Sequence, residues 1–166
     1  MSKQNREALI EEIIAIELDM FRRVRTAEPS DCQQNEKTFK AMRQMTHSVL
    51  SLDTLKSYLT DLKNAIEEGR NLCTEKYARM DNLIPPLKHN PIISRIIDIE
   101  SSMMRAFCEN YPHMFGNHIY NFGNYLRSEL ETYSDITLSL YLKDVIKAQE
   151  QKRNLAGERY RDLSLV

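Results

Sequence analysis

The chain matches itself when it is shifted by 83 residues, so it consists of two copies of one ancestral segment. Leu9 to Met80 align without a gap with Ile92 to Leu163, and 22 of the 72 aligned positions are identical. Two unrelated sequences of ordinary composition would match at about four such positions. Because an internal repeat marks a structural unit, the two copies are predicted to share one fold.

The repeat boundaries predict how the chain is organised. Residues 9–80 form the first copy and residues 92–163 the second, and the segment 81–91 between them holds three of the five prolines. Proline restricts the backbone, which favours an extended linker. One copy alone would bury little apolar surface, so the copies are expected to pack together. Residues 1–166 are therefore predicted to form a single domain.

Apolar residues recur at helical spacing along most of the chain. Each copy opens with such a segment, continues with a shorter one that starts near Thr38 in the first copy, and ends with a third. Ser51 and Ser134 are good N-caps for this third segment. It continues past Gly69, whose counterpart is Lys152, and lysine resists the left-handed backbone of a helix end. One uninterrupted third helix is therefore predicted.

These patterns predict an all-α fold: a tandem duplication of a three-helix unit, packed as one helical bundle with approximate two-fold symmetry. Composition excludes several other classes. The 23 basic and 24 acidic residues give a net charge of −1, which argues against a nucleic-acid partner. The longest apolar runs are a few residues long, so no membrane partner is expected. The four glycines form no phosphate-binding loop.

Cysteine usage and the N-terminal sequence both predict a cytoplasmic protein. The three cysteines, Cys32, Cys73 and Cys108, are odd in number, far apart and unmatched between the copies. This pattern does not suit a disulfide framework and is typical of a reducing compartment. The first ten residues, MSKQNREALI, lack the apolar region of a secretion signal.

The feature with the most chemical content is an acidic residue, Glu17 or Glu100, on the apolar face of the first helix of each copy. A carboxylate in that position must be paired or protonated, because an isolated buried charge costs many kcal/mol. The partners considered are polar residues retained in both copies, and arginine offers a bidentate match. The candidate ligand-binding residues are Glu17, Glu100, Tyr58, Tyr141, Arg70, Arg153, Asn71 and Asn154.

Two interpretations of these residues stay open. In the first, an arginine and each glutamate form structural ion pairs that join the first helix to the third. In the second, the same side chains line a cavity between the copies. Glu67 and Arg70 also lie three residues apart and could form a surface pair.

Metal chemistry has little support in the sequence. A di-iron carboxylate bundle needs Glu-x-x-His on two helices, but Met20 and Met103 follow Glu17 and Glu100 at that spacing. His113 and His118 flank an aromatic loop with no carboxylate at ligand spacing. No metal site is predicted, and no cofactor is indicated.

The segments Gly69-Arg70-Asn71-Leu72 and Glu75-Lys76-Tyr77-Ala78-Arg79-Met80 resemble the bacterial family catalogued as domain of unknown function 4125. Shorter strings, such as Met42-Arg43, extend the resemblance over most of the chain. The sequence departs from the family pattern at Asn35, where an Asp is usual, at Met45-Thr46, which replaces a Ser-Gln pair, and in having no tryptophan. The resemblance implies a helical, cytoplasmic bacterial protein and supplies no activity.

Three functions are compared on this basis. The favoured prediction is a protein that binds, and could also convert, a small polar metabolite in a cavity between the copies. The alternative is a protein-interaction or scaffold module with no catalytic site, for which a homo-oligomer is one expected form. A carboxylate metalloenzyme ranks third. Whether the protein is an enzyme stays open.

Overall fold

The computed structural model describes residues 3–24, 35–112 and 119–164, and these contain eight α-helices and no strand. The prediction of an all-α bundle is confirmed. The helices are α1 Lys3–Arg22, α2 Glu36–His47, α3 Leu52–Glu67, α4 Leu72–Met80, α5 Pro91–Glu109, α6 Ile119–Leu130, α7 Asp135–Glu150 and α8 Leu155–Ser164.

Three of the four helix pairs of the two halves begin at equivalent positions. Helices α2 and α6, α3 and α7, and α4 and α8 each start one repeat length apart. Both predicted N-caps are confirmed: the Ser51 hydroxyl accepts the Thr54 N–H at 3.2 Å, and the Ser134 hydroxyl accepts the Thr137 N–H at 3.2 Å. Equivalent residues thus start equivalent helices.

The packing pattern is the same when the halves are exchanged. Helix α1 packs against α2, α3 and α4, and α5 packs against α6, α7 and α8. Between the halves, α3 packs on α7, α2 on α8, and α4 on α6. This arrangement agrees with the expected two-fold relation.

Two retained aspartates join the halves at the α3–α7 contact. Asp61 on α3 accepts the Ser134 N–H at 2.9 Å and the Thr137 hydroxyl at 2.7 Å. Asp144 on α7 makes the same two bonds to Ser51 and Thr54, at 3.0 and 2.6 Å. Each carboxylate therefore caps the helix start of the other half, where a negative charge is favourable.

The prediction of one long third helix is wrong, because each half contains a fourth helix. Helix α3 ends at Glu67 and α4 begins at Leu72. Gly69 adopts φ +71 and Lys152 φ +58, and the following amides close the helix ends through bonds from Arg70 to the Ala65 carbonyl and from Arg153 to the Ala148 carbonyl. This is the usual left-handed helix end, which Lys152 adopts despite its side chain.

Asn71 and its counterpart fix this break to the first helix of each half. The Asn71 Oδ1 accepts the Thr74 N–H at 3.0 Å, and its Nδ2 donates to the Met20 carbonyl at 2.8 Å. In the second half, the Asn154 Nδ2 donates to the Met103 carbonyl at 2.8 Å. A short side chain that caps one helix and binds another explains why the asparagine is retained.

The left-handed residue at the break supports a stability prediction. Lys152→Gly is expected to stabilise the protein by about 1 kcal/mol, because a side chain costs about 1–2 kcal/mol in this conformation. Gly69→Ala is expected to destabilise it by a similar amount, since a Cβ there would meet nothing within 4 Å and backbone strain is the whole cost. Urea unfolding of both variants measures the two shifts, and shifts of equal sign would contradict the prediction.

Candidate functional site

Glu17 lies on α1 with its carboxylate enclosed, as its apolar neighbours predict; the residue is 2 % exposed. Arg43 on α2 donates from Nη2 to Oε2 at 2.7 Å and from Nε to Oε1 at 3.1 Å. The Tyr58 hydroxyl donates to Oε2 at 2.6 Å, and the His47 Nε2 lies 3.1 Å from Oε1. The buried carboxylate is therefore both paired with a cation and hydrogen-bonded.

These neighbours keep Glu17 ionised. Burial alone raises the pKa of the carboxyl, but the Arg43 charge and the hydrogen bonds from His47 and Arg43 hold it far below its usual range. Burial and the Glu17 charge raise the pKa of Tyr58 well above its usual value, so Tyr58 stays a donor. The buried His47 Nδ1 has no partner among the described residues, which indicates that Nε2 carries the ring hydrogen.

Glu129 on α6 is a second buried carboxylate, and its cations come from the first half. Arg43 donates from Nη1 to Oε1 at 2.7 Å, and Lys76 on α4 donates to the same oxygen at 3.2 Å. The Tyr133 hydroxyl donates to Oε2 at 2.8 Å. Burial raises the pKa of Glu129, but the Arg43 and Lys76 charges lower it to about 2. We call Glu17, Arg43, Lys76 and Glu129 the central ion cluster.

Tyr125 covers one side of the central ion cluster. Its hydroxyl oxygen accepts from Arg43 Nη1 at 3.2 Å and from Lys76 Nζ at 3.3 Å. The Lys76 Nζ also lies 4.8 Å from the centre of the Tyr125 ring, within range of a cation–π interaction. Because the oxygen accepts twice, the hydroxyl hydrogen of Tyr125 is left for another acceptor.

The second half holds Glu100 in a simpler arrangement. Glu100 is 2 % exposed, and its two carboxylate oxygens accept hydrogen bonds from the Arg159 Nη1 and the Tyr141 hydroxyl. The Arg159 Nη2 donates to the Tyr141 oxygen at 3.1 Å. The Arg159 Nε is buried and has no partner in the described part of the chain.

The two halves neutralise equivalent carboxylates from different helices. The position equivalent to Arg43 is Leu126, and Arg159 stands at the position equivalent to Lys76. The first carboxylate therefore takes its cation from α2, and the second takes its cation from α8. This leaves Lys76 to pair with Glu129, whose own equivalent is Thr46. The central ion cluster thus depends on residues that the two halves do not share.

The two tyrosines of the candidate set contact the buried carboxylates, and the two arginines considered as their partners do not. Tyr58 and Tyr141 bind the two buried carboxylates. Arg70 instead binds Glu75 with two bonds of 2.9 Å on the surface. Arg153 likewise binds Glu158 at 3.0 and 2.8 Å. The prediction that these arginines pair with the buried glutamates is wrong, because each bridges the break between two helices.

The eight candidate residues also do not meet in one cavity. The space beside Glu17 and Tyr58 is about 10 Å³, which is room for about one water molecule. Arg70 and Arg153 are more than 40 % exposed at the side chain. Asn71 and Asn154 are helix caps. Two further residues considered in the sequence, His113 and His118, lie outside the described residues, as does Cys32.

The residues that the sequence analysis missed are Arg43, His47, Lys76, Glu129 and Arg159. Restricting the candidates to residues identical in both copies excluded all five. A usable signal was present in α2, where Phe39, Arg43 and His47 are spaced four residues apart on its buried face. A charged residue within a buried stripe must have a partner, whether or not its repeat counterpart is polar.

A cavity of about 270 Å³ lies between α2 and the second half, and we call it the Arg159 cavity. Its walls are mostly apolar and include Met42, Met45, Met104, Phe122, Leu126 and Ala156. The polar groups that also line it are Tyr125, Glu129, Tyr141 and Arg159. Met42 in this wall is 42 % exposed.

The buried acids and bases are committed to one another. Both oxygens of Glu17, Glu100 and Glu129 accept hydrogen bonds, so none offers a free general base. Burial raises the pKa of the Cys73 thiol to about 11, which disfavours the nucleophilic thiolate. Each of these four groups is thus held by contacts within the protein.

The described ranges, residues 3–24, 35–112 and 119–164, show neither a metal-binding cluster nor a membrane-spanning helix. No group of three or more His, Cys, Asp or Glu side chains is assembled there for a metal ion. None of the described helices combines the length and apolar character needed to cross a bilayer.

These observations define an all-α protein with buried ion pairs that join two repeated halves and an apolar cavity between them. The model of the family described as protein of unknown function (DUF4125) matches residues 7–165, and the chain belongs to that family. The family resemblance found at residues 69–80 is thus confirmed. No curated protein and no solved structure gives a significant match.

Proposed function

We propose that the protein binds a small, mostly apolar molecule in the Arg159 cavity. The observation that carries the proposal is a cavity of about 270 Å³ lined mostly by apolar side chains, with Tyr125, Tyr141 and Arg159 among its polar groups. Apolar walls with a few placed polar groups are typical of ligand sites. A cavity of about 150 Å³ suffices for benzene, so this one has room for a ring with a short substituent.

The proposed site lies where the sequence predicts it, between the two copies, but most of the residues that line it are not the predicted ones. The cavity lies between the two copies, with α2 on one side and helices of the second half on the other. Of the eight candidate residues, Tyr141 lines it, and Glu100 supports it through Arg159. Because thioether and aromatic side chains dominate the walls, the ligand is less polar than the metabolite predicted from the sequence.

Methionine side chains suit such a wall and also provide the test. Met42, Met45 and Met104 line the Arg159 cavity, whereas Met20 and Met80 do not. Protein labelled with ¹³C in the methionine methyl groups is titrated with ethylbenzene, indole and acetophenone and followed by NMR. We expect the methyl signals of the three cavity methionines to shift with saturation, while those of Met20 and Met80 stay in place.

Ala156→Leu is the matched control for this titration. Ala156 is 3 % exposed and lines the cavity, so a larger side chain there takes up ligand space, and the substitution changes no charged residue. We expect the variant to fold, with a loss of at most about 1–3 kcal/mol from tighter packing, and to lose the saturable shifts. Equal shifts in both proteins, or no shift in the parent protein, would contradict the proposal.

The scaffold alternative predicts an uncovered apolar patch or a homodimer. Ile66, Leu83 and Ile136 are more than half exposed, and single exposed apolar residues are normal on protein surfaces. No observation brings these residues together, so the ligand-binding proposal has the better support.

A further inference from the structure

We infer that the molecule bound in the Arg159 cavity carries an aromatic ring, which takes the place that the Phe21 ring occupies in the first half. This inference rests on the proposed function and specifies the chemical class of the ligand. The equivalent place in the first half supports it.

The Arg159 cavity is the counterpart of the small space beside Glu17 in the first half. More than half of the residues that line that space have a repeat counterpart in the wall of the cavity. The space measures about 10 Å³ in the first half and about 270 Å³ in the second. The same place is therefore filled in one half and open in the other. Three of the counterpart pairs are Phe39 with Phe122, Tyr58 with Tyr141, and Lys76 with Arg159.

Three aromatic rings pack together at this place in the first half. The Phe21 ring is stacked on the Phe39 ring, with 4.2 Å between the ring centres and 22° between the planes. The centre of the Phe21 ring also lies 6.4 Å from that of Tyr77, in a tilted arrangement. Stacked and tilted ring pairs attract each other beyond the burial of their apolar area. The buried Phe21 ring therefore has an aromatic surrounding.

The second half keeps two of these three rings and lacks the one that joins them. Phe122 stands at the position of Phe39. Tyr160 stands at that of Tyr77, and Met104 replaces the third ring. These three residues of the second half line the Arg159 cavity. No ring stacks on Phe122 among the described residues, so the wall offers a place for a ring that the chain does not supply.

An aromatic ligand gains contacts here that a saturated ligand does not. Its ring can stack on Phe122 as the Phe21 ring stacks on Phe39. The three methionines of the cavity wall add thioether groups, whose sulfur atoms interact favourably with aromatic rings. Both contacts depend on the π-electrons of the ligand, so a saturated ring of similar outline loses them and keeps only the apolar burial.

Acetophenone and its saturated analogue, cyclohexyl methyl ketone, differ in the ring and share the substituent. Each is titrated into the protein, with binding measured by calorimetry and by the methionine methyl signals. We expect acetophenone to bind about three- to tenfold more tightly. This preference has the opposite sign to the hydrophobic effect alone, because the saturated ring is the more apolar of the two.

Two variants at position 104 test where the ligand ring lies. Met104→Phe restores the ring that the first half has at this position, and we expect acetophenone to bind at least about tenfold more weakly because the space is taken. Met104→Leu is the matched control, since it keeps about the same volume and adds no ring. Its affinity should stay within about threefold of the parent. Equal losses in the two variants would contradict this placement of the ring.

Phe122→Leu tests the stack itself, after circular dichroism has shown that the variant folds. We expect acetophenone to bind about three- to tenfold more weakly and cyclohexyl methyl ketone to change by less than about twofold. The preference for the aromatic ketone should therefore largely disappear. An unchanged ratio of the two dissociation constants would overturn the stack on Phe122.

The outcomes distinguish this inference from the proposed function. Saturable binding of both ketones to the parent protein, with no preference for acetophenone, would overturn the aromatic class and leave the binding function standing. Saturable binding of neither ketone, nor of ethylbenzene or indole, would overturn the proposed function itself, and the inference with it.

Discussion

Replacing Arg43 with methionine is expected to lower the free energy of unfolding by about 3–5 kcal/mol at pH 7. Methionine keeps most of the volume of the side chain and removes its charge. Glu17 then loses its cation, and Glu129 keeps Lys76 alone. The loss is a large share of the total stability of a typical domain, about 5–15 kcal/mol.

The matched control is Arg70→Met. Arg70 also binds two carboxylates, Glu75 and Glu68, but its side chain is 43 % exposed. Exposed ion pairs contribute about 0.2–1 kcal/mol, because water screens them. Urea unfolding should therefore show a severalfold larger loss in the free energy of unfolding for Arg43→Met than for Arg70→Met. Losses of similar size in the two variants would show that the buried Arg43 charge contributes no more to stability than an exposed one.

The pH dependence of Arg43→Met should have the opposite sign to that of the parent protein. In the parent, folding lowers the pKa of Glu17 and lowers that of Glu129 from 4.5 to about 2. This stability is present above about pH 4.5 and is lost as the pH falls toward 2. Without the Arg43 charge, burial raises the pKa of the Glu17 carboxyl, so this carboxyl gains a proton on folding.

The variant should therefore become more stable as the pH falls from 7 toward 5, where the parent protein changes little. Urea unfolding at several pH values measures this slope. A variant whose stability runs parallel to that of the parent over this range would contradict the proposed role of Arg43.

The features of the fold that could be predicted from the sequence are local ones. The N-caps Ser51 and Ser134 and the burial of Glu17 and Glu100 were predictable, because each follows from neighbours within one or two turns of helix. The break after α3 was not predicted. Its strongest local signal, Gly69, is matched by Lys152, which nevertheless adopts φ +58 at the end of the equivalent helix.

The candidate site was predicted in part for a related reason. Three retained residues, Tyr58, Asp61 and Asn71, each make the same hydrogen bonds as their counterparts in the other half. Identity between the copies therefore indicated a structural role. Arg43 and Glu129 lie 86 positions apart in the chain and have no polar counterpart pair. Their contact is set by how α2 and α6 pack, which no periodicity within one segment encodes.

The halves depend on each other for charge as well as for apolar burial, so neither should fold alone. Arg43 and Lys76 of the first half are neutralised in part by Glu129 of the second. The Ser51 N–H at the start of α3 donates to Asp144 of the second half. In the same way, the Ser134 N–H of the second half donates to Asp61 of the first half. Separation leaves buried charges and helix ends without partners in both pieces.

Division of the chain in its linker tests this dependence. Fragments 1–84 and 85–166 are expected to be largely unfolded when separate, with low helical circular dichroism and no cooperative melt, because about 80 residues bury too little surface to offset such losses. Mixing them should restore both helicity and a cooperative transition whose midpoint rises with concentration. A cooperative melt from either fragment alone would contradict the prediction that residues 1–166 form a single domain. It would also show that the cross-half ion pairs are dispensable for folding.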